Sequence, residues 1–122
     1  MLIKEILNSS MRFHLSALLR IESENDRFMG PGRIELLEKI METGSISQAA
    51  KLMKMSYKKA WDSIQSVNEQ TAKPIVITQT GGEKGGGTIV TEEGKQLISA
   101  FKQLHSDFEI FLFEKMETFL HS

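Results

Sequence analysis

Residues 42 to 68 read Glu-Thr-Gly-Ser-Ile-Ser-Gln-Ala-Ala-Lys-Leu-Met-Lys-Met-Ser-Tyr-Lys-Lys-Ala-Trp-Asp-Ser-Ile-Gln-Ser-Val-Asn. Two short helices that cross closely need small side chains at the crossing, and Ala49 and Ala50 supply them. A tight turn between the helices needs an apolar plug and a capped second helix, the parts offered by Met55 and Ser56. Gly44 can stop a preceding helix, and Ser45 or Ser47 can cap the first of the pair. On the second helix Ala60, Ile64 and Val67 recur at i, i+4 and i+7 and should face a core, leaving Lys58, Lys59, Asp62, Ser63 and Ser66 on other faces. The spacing predicts a helix-turn-helix. A non-binding helical hairpin would satisfy the same pattern.

Outward from this stretch, Gly30-Pro31-Gly32 breaks the chain, and Ile34, Leu37, Ile40 and Met41 then fall at helical spacing up to Gly44. Downstream, Ile75-Val76-Ile77-Thr78 and Thr88-Ile89-Val90-Thr91 are β-prone runs separated by the Gly-rich stretch 79–87, which reads as a hairpin loop. Upstream, Phe13, Leu15, Ala17, Leu19 and Ile21 alternate with mostly polar neighbours over residues 12–22, the period of a half-buried strand. From about residue 92 a Pro-free segment reads as one long helix. The order is strand, three helices, hairpin, long helix. The fold class expected is therefore mainly α (α+β): one domain over 1–122, with a winged helix-turn-helix at about 31–91 and a long C-terminal dimerisation helix at about 92–121.

Composition removes several classes of function. The 122 residues contain no Cys, which excludes disulfides, Cys-based zinc sites and a cysteine nucleophile. Residues 1–7 are too short and too charged for a secretory apolar region, and no uncharged apolar run approaches the roughly 18 residues of a membrane span. A cytoplasmic protein is the expectation. His14, His105 and His121 are scattered, and no carboxylate pair occupies an identifiable apolar cleft, so neither a metal site nor acid–base catalysis has a candidate. The protein is not expected to be an enzyme or to carry a cofactor. Gly81 to Gly86 has P-loop spacing, but Gly87 stands where the lysine must be. The net charge of −1 is unevenly spread. Residues 45–73 hold Lys51, Lys54, Lys58, Lys59 and Lys73 against Asp62 and Glu69, whereas residues 96–122 hold Lys102 and Lys115 against four acids. Local charge governs docking on a polyanion more than the sum does.

The stretch from Arg33 to Gly94 closely resembles the N-terminal DNA-binding domain of ModE-type molybdate-responsive regulators and, more distantly, the helix-turn-helix of LysR-type regulators. The matching pieces are Thr43-Gly44-Ser45-Ile46-Ser47-Gln48-Ala49-Ala50, Met55-Ser56-Tyr57-Lys58, Ala60-Trp61-Asp62, Asn68, Thr80-Gly81-Gly82, Gly85-Gly86-Gly87, Thr91 and Gly94. The resemblance implies a sequence-specific regulator of double-stranded DNA. A recognition helix at about 56–70 would lie in the major groove and the wing at 79–87 along the phosphates. Two departures matter. The first wing strand carries no basic residue and the loop sets Glu83 beside Lys84. The chain also ends at Ser122, directly after the long helix, so molybdate binding is not expected.

The DNA-contacting set follows. Tyr57, Lys58 and Lys59 open the recognition helix, where base edges are met, with Asp62 and Ser63 one turn on. Ser45, Ser47, Gln48 and Ser56 should touch phosphates. Lys84 is the only cation between Ile75 and Thr91. Trp61, beside Ala60, is expected to pack under the wing. Leu97, Phe101, Leu104, Phe108 and Phe111 step by 4, 3, 4, 3, a coiled-coil seam. Leu112, Met116, Phe119 and Leu120 continue it on a shifted stripe. This pattern predicts a homodimer, or else a helix folded back on residues 12–22. A winged helix that pairs with protein instead of DNA is the alternative function.

Overall fold

The computed structural model describes residues 1–79 and 87–122. It comprises two compact units, Arg20–Phe101 and Met1–Leu19 with Lys102–Ser122.

In the first unit, β1 (Ile21–Glu22) pairs antiparallel with β2 (Arg27–Met29). Helix α2 (Pro31–Thr43) starts on Pro31, whose missing N–H is one the first helical turn would leave unbonded anyway. It ends at Gly44, left-handed at φ 69°, whose N–H donates to the Ile40 carbonyl at 2.7 Å. Helices α3 (Ile46–Leu52) and α4 (Tyr57–Glu69) follow, then β3 (Val76–Thr78) and β4 (Thr88–Val90), which pair antiparallel with Val76 opposite Val90. Helix α5 (Glu92–Leu120) begins in this unit. The three helices and the hairpin are the winged arrangement the sequence predicts.

The core of this unit joins Met29, Leu36, Leu37, Ile40, Ala49, Ala50, Ala60, Ile64, Val67, Val76 and Val90. The alanines are no more than 2 % exposed, as a close helix crossing requires. Helix α2 packs on both α3 and β4. It therefore buries the adjacent pair Leu36 and Leu37, while Met41, expected inside, is half exposed. A helix covered on two flanks buries a wider arc than a one-sided stripe.

Two backbone junctions hold the hairpin. The Thr88 N–H donates to the Gly44 carbonyl at 2.9 Å, and the Thr91 N–H to the Ile75 carbonyl at 2.9 Å. Thr91 then caps α5, its Oγ1 accepting from the Gly94 N–H at 3.1 Å. A Cβ at Gly94 would lie 2.7 Å from both the Ile75 oxygen and Val90 Cγ1, so that position admits no side chain without displacing backbone.

The second unit contains α1 (Ile3–Ile6), the following segment to Leu19, and the distal part of α5. The Ile3 N–H donates to the Ser122 carbonyl at 3.0 Å. The strand expected over residues 12–22 is corrected: only Ile21 and Glu22 are strand, and residues 12–20 have no regular structure. Alternation makes a chain extended, but a strand also needs a ladder, and the three residues of β2 reach only Ile21 and Glu22.

Helix α5 is a single helix of 29 residues, about 43 Å long at 1.5 Å per residue. The expected seam divides. Phe101 is buried, Leu97 and Phe108 are half-buried, and Leu104 and Phe111 are exposed, while Leu112 of the shifted stripe and Ile98, outside both, are buried.

Gly94→Ala should lower stability by about 1–3 kcal/mol, the range for overpacking a closed site. Gly32→Ala, where nothing lies within 4 Å of the new Cβ, should cause no loss. Urea denaturation of the two variants checks the contrast.

Candidate nucleic-acid interface

The α3–α4 turn is built from backbone bonds. The Met53 N–H donates to the Ala49 and Ala50 carbonyls, and the Met55 N–H to the Ala50 carbonyl at 3.0 Å. Lys54 between them is left-handed at φ 55°, among the described residues the one side-chain-bearing position with positive φ. Half-buried Met55 fits the plug expected of it. Ser45 Oγ accepts from the Gln48 N–H, and Ser56 Oγ from the Lys59 N–H, both at 3.1 Å. Each hydroxyl thereby satisfies a helix-start donor and keeps its own proton to give outward.

Helix α4 turns Ala60, Ile64 and Val67 inward, as its spacing predicts. Tyr57, Lys58, Lys59 and Asp62 are exposed. Lys58 Nζ and Asp62 Oδ2 pair at 2.8 Å, one helical turn apart. Ser63 is half-buried and donates its hydroxyl to the Lys59 carbonyl at 3.0 Å, so toward a ligand it can only accept. Ser47 and Gln48 are exposed in the first turn of α3. Lys84 lies outside the described residues.

Lys51 and Lys54 lie outside the DNA-contacting set the sequence predicts, although the lysine count over residues 45–73 contains them. Both are exposed on the helix-turn-helix. Among the described residues, Lys51, Lys54 and Lys59 make no ion pair, whereas Lys58 is held by Asp62 and Lys73 lies 3.9 Å from Glu93. Trp61 departs from expectation in part: it remains 42 % exposed on α4.

The far end of α4 is anchored by polar contacts. Arg33 donates to the Arg27 and Phe28 carbonyls at 2.7 and 3.0 Å and to Ser66 Oγ at 3.2 Å. Ser66 donates to Asp26 Oδ2 at 2.7 Å. Gln70 donates to the Arg27 carbonyl and accepts from Ser23 Oγ. The Ser66 hydroxyl and then the Arg27 backbone N–H hold the Asp26 carboxyl below the usual carboxylate range; desolvation opposes them, and the Arg33 and Arg27 charges add smaller lowering effects. Asn68 ties α4 to β3: its Oδ1 accepts from the Ile75 and Val76 N–H groups at 2.8 and 3.2 Å, and its Nδ2 donates to the Val76 carbonyl at 2.9 Å.

A capped helix pair with a cationic outer turn, a hairpin behind it and a rigidly tied second helix defines a helix-turn-helix regulator fold. Residues 32–95 match the family described as "Bacterial regulatory helix-turn-helix protein, lysR family", and the chain belongs to that family. It is 40% identical over 87 residues to the transcriptional regulator ModE of Haemophilus influenzae, covering 71% of this chain and 34% of that protein. It is 41% identical over 87 residues to the DNA-binding transcriptional dual regulator ModE of Escherichia coli K12, with 71% and 33% covered. The molybdenum-pterin-binding protein MopB of Rhodobacter capsulatus is 47% identical over 73 residues, 60% of this chain and 27% of that one. The matches span about a third of the length of these relatives or less.

Because the folded Asp26 carboxyl is depressed, its stabilising effect is present above the ordinary carboxylate range and is lost as pH falls through the lower folded value. Asp26→Asn should therefore lower the melting temperature at pH 7, and the gap from wild type should close toward pH 3. A gap that stays constant between those pH values would show that the carboxylate charge plays no part.

Proposed function

We propose that the chain is a sequence-specific regulator that binds double-stranded DNA as a homodimer in the cytoplasm. The observation that carries this reading is the exposed first turn of α4, where Tyr57, Lys58 and Lys59 stand on a helix capped by Ser56 and fixed to the hairpin by Asn68. Tyr57, Lys58 and Lys59 meet base edges in the major groove, with Asp62 and Ser63 behind them. Asp62 holds the Lys58 ammonium in one orientation before DNA arrives. Ser45, Ser47, Gln48 and Ser56 contact phosphates through hydroxyl and amide groups, with Lys51, Lys54 and Lys59 adding charge. Lys84 places one cation of the wing on the backbone.

Two copies associate through α5, which leaves Leu104, Ile110, Phe111, Phe113 and Phe119 exposed. A two-fold dimer reads half-sites about 34–36 Å apart, or a multiple of that. The name of one relative, MopB, refers to molybdenum. We assign no oxyanion site to these 122 residues, and titration calorimetry with molybdate should give no saturable heat. No catalytic role is assigned.

The decisive experiment is duplex binding at several salt concentrations. Wild-type affinity should fall steeply with salt as counterions are released. Lys58→Glu combined with Lys59→Glu should abolish binding with circular dichroism unchanged. Lys84→Ala should weaken binding equally on all sequences and lower the salt slope by about 1. Unaltered affinity in the double variant would refute the assignment, and wild-type protein without salt-dependent binding would favour a protein-pairing winged helix.

A further inference from the structure

Residues 12–19 have no regular secondary structure and are exposed apart from half-buried Leu19, yet five of the eight are apolar. Phe13 and Leu15 are 43 % and 44 % exposed, and Leu18, on the opposite parity, is 69 % exposed. Among the described residues, none makes a backbone hydrogen bond to residues 12–19. A turn at Asn8, whose side-chain and main-chain oxygens accept from Ser10 and Met11, launches the segment, and β1 continues it at Ile21. The chain therefore keeps an alternating segment about eight residues long whose backbone groups are open to pairing.

We propose that this segment is a strand completed by the same segment of a second copy, the two forming an antiparallel ribbon about a two-fold axis. The proposal rests on the homodimer reading above and specifies where the copies touch. Three observations favour a second copy as the occupant. The unit that contains the segment is about 40 residues, near the size below which domains usually need oligomerisation. Leu112 is its one buried hydrophobic residue among the described residues. An unpaired strand also complements itself under two-fold symmetry, donors meeting acceptors without any further design.

The residues select the register. A ribbon keeps each face intact only if odd positions oppose odd positions. Centring on Ser16 would set Arg12 directly opposite Arg20, which repels. Centring on Leu15 sets Phe13 against Ala17, Arg12 against Leu18 and His14 against Ser16. It also pairs residues 12–18 wholly with one another. The large ring then meets a small methyl, and Leu18, more exposed than Phe13 or Leu15, lies beside an arginine stem.

The absence of cysteine makes the test clean. With Leu15 on the axis, its two copies are about 4.5–5.5 Å apart at Cα, within disulfide reach. The two copies of Ala17 are displaced by four residues, about 13 Å along the ribbon, and are out of reach. Leu15→Cys should cross-link under mild oxidation and Ala17→Cys should not. In the wild type, sedimentation equilibrium should give twice the 13.8 kDa chain mass, and alternate amides of residues 12–18 should exchange at least about tenfold slower than free chain. A dimer whose residues 12–18 all exchange freely overturns the ribbon while the homodimer reading stands. Equal cross-linking of both variants overturns the register, and a monomer overturns both proposals.

Discussion

The side chain of Asn68 closes three backbone hydrogen bonds at once, two accepted from the Ile75 and Val76 N–H groups and one given to the Val76 carbonyl. Strand β3 would otherwise leave these groups unbonded against a helix. Leaving buried donors without partners costs on the order of 1–3 kcal/mol each. This single amide therefore sets where the hairpin begins relative to α4. The Thr88 bond to Gly44 fixes the other strand to the turn between α2 and α3. Helix α4 and hairpin are thus referenced to one frame, and surface side chains can be placed on it without a large core.

Much of that frame was legible in the sequence because it depends on local rules. Ser45, Ser56 and Gly44 announce helix ends whatever lies elsewhere in the chain, and the Ala60, Ile64, Val67 period states which side of α4 is inward. The Asp26–Ser66–Arg33–Gln70 cluster was not legible. Its two halves, Asp26 with Arg33 and Ser66 with Gln70, are more than 30 residues apart, and polar residues of common types carry no signal of mutual contact. Leu36 was missed because a single-stripe reading of α2 cannot register burial on two flanks.

Residues 12–20 fail for a different reason. Their alternation is genuine, but period 2 reports only that a backbone is extended and that its faces differ. The seam of α5 shows the same ambiguity: Phe101 goes to the interior of its own chain, while Leu104 and Phe111 stay outward. One apolar run on a helix of this length serves more than one surface, and spacing alone does not say where the division falls.

The left-handed Lys54 has a consequence for how the turn can vary. A side chain in that conformation costs about 1 kcal/mol relative to glycine. Glycine would relax the backbone but remove an ammonium from the rim of the helix pair. Asparagine would ease the conformation, again without charge. At this one position conformational ease and surface charge pull in opposite directions, so a turn optimised for folding alone would carry a different residue.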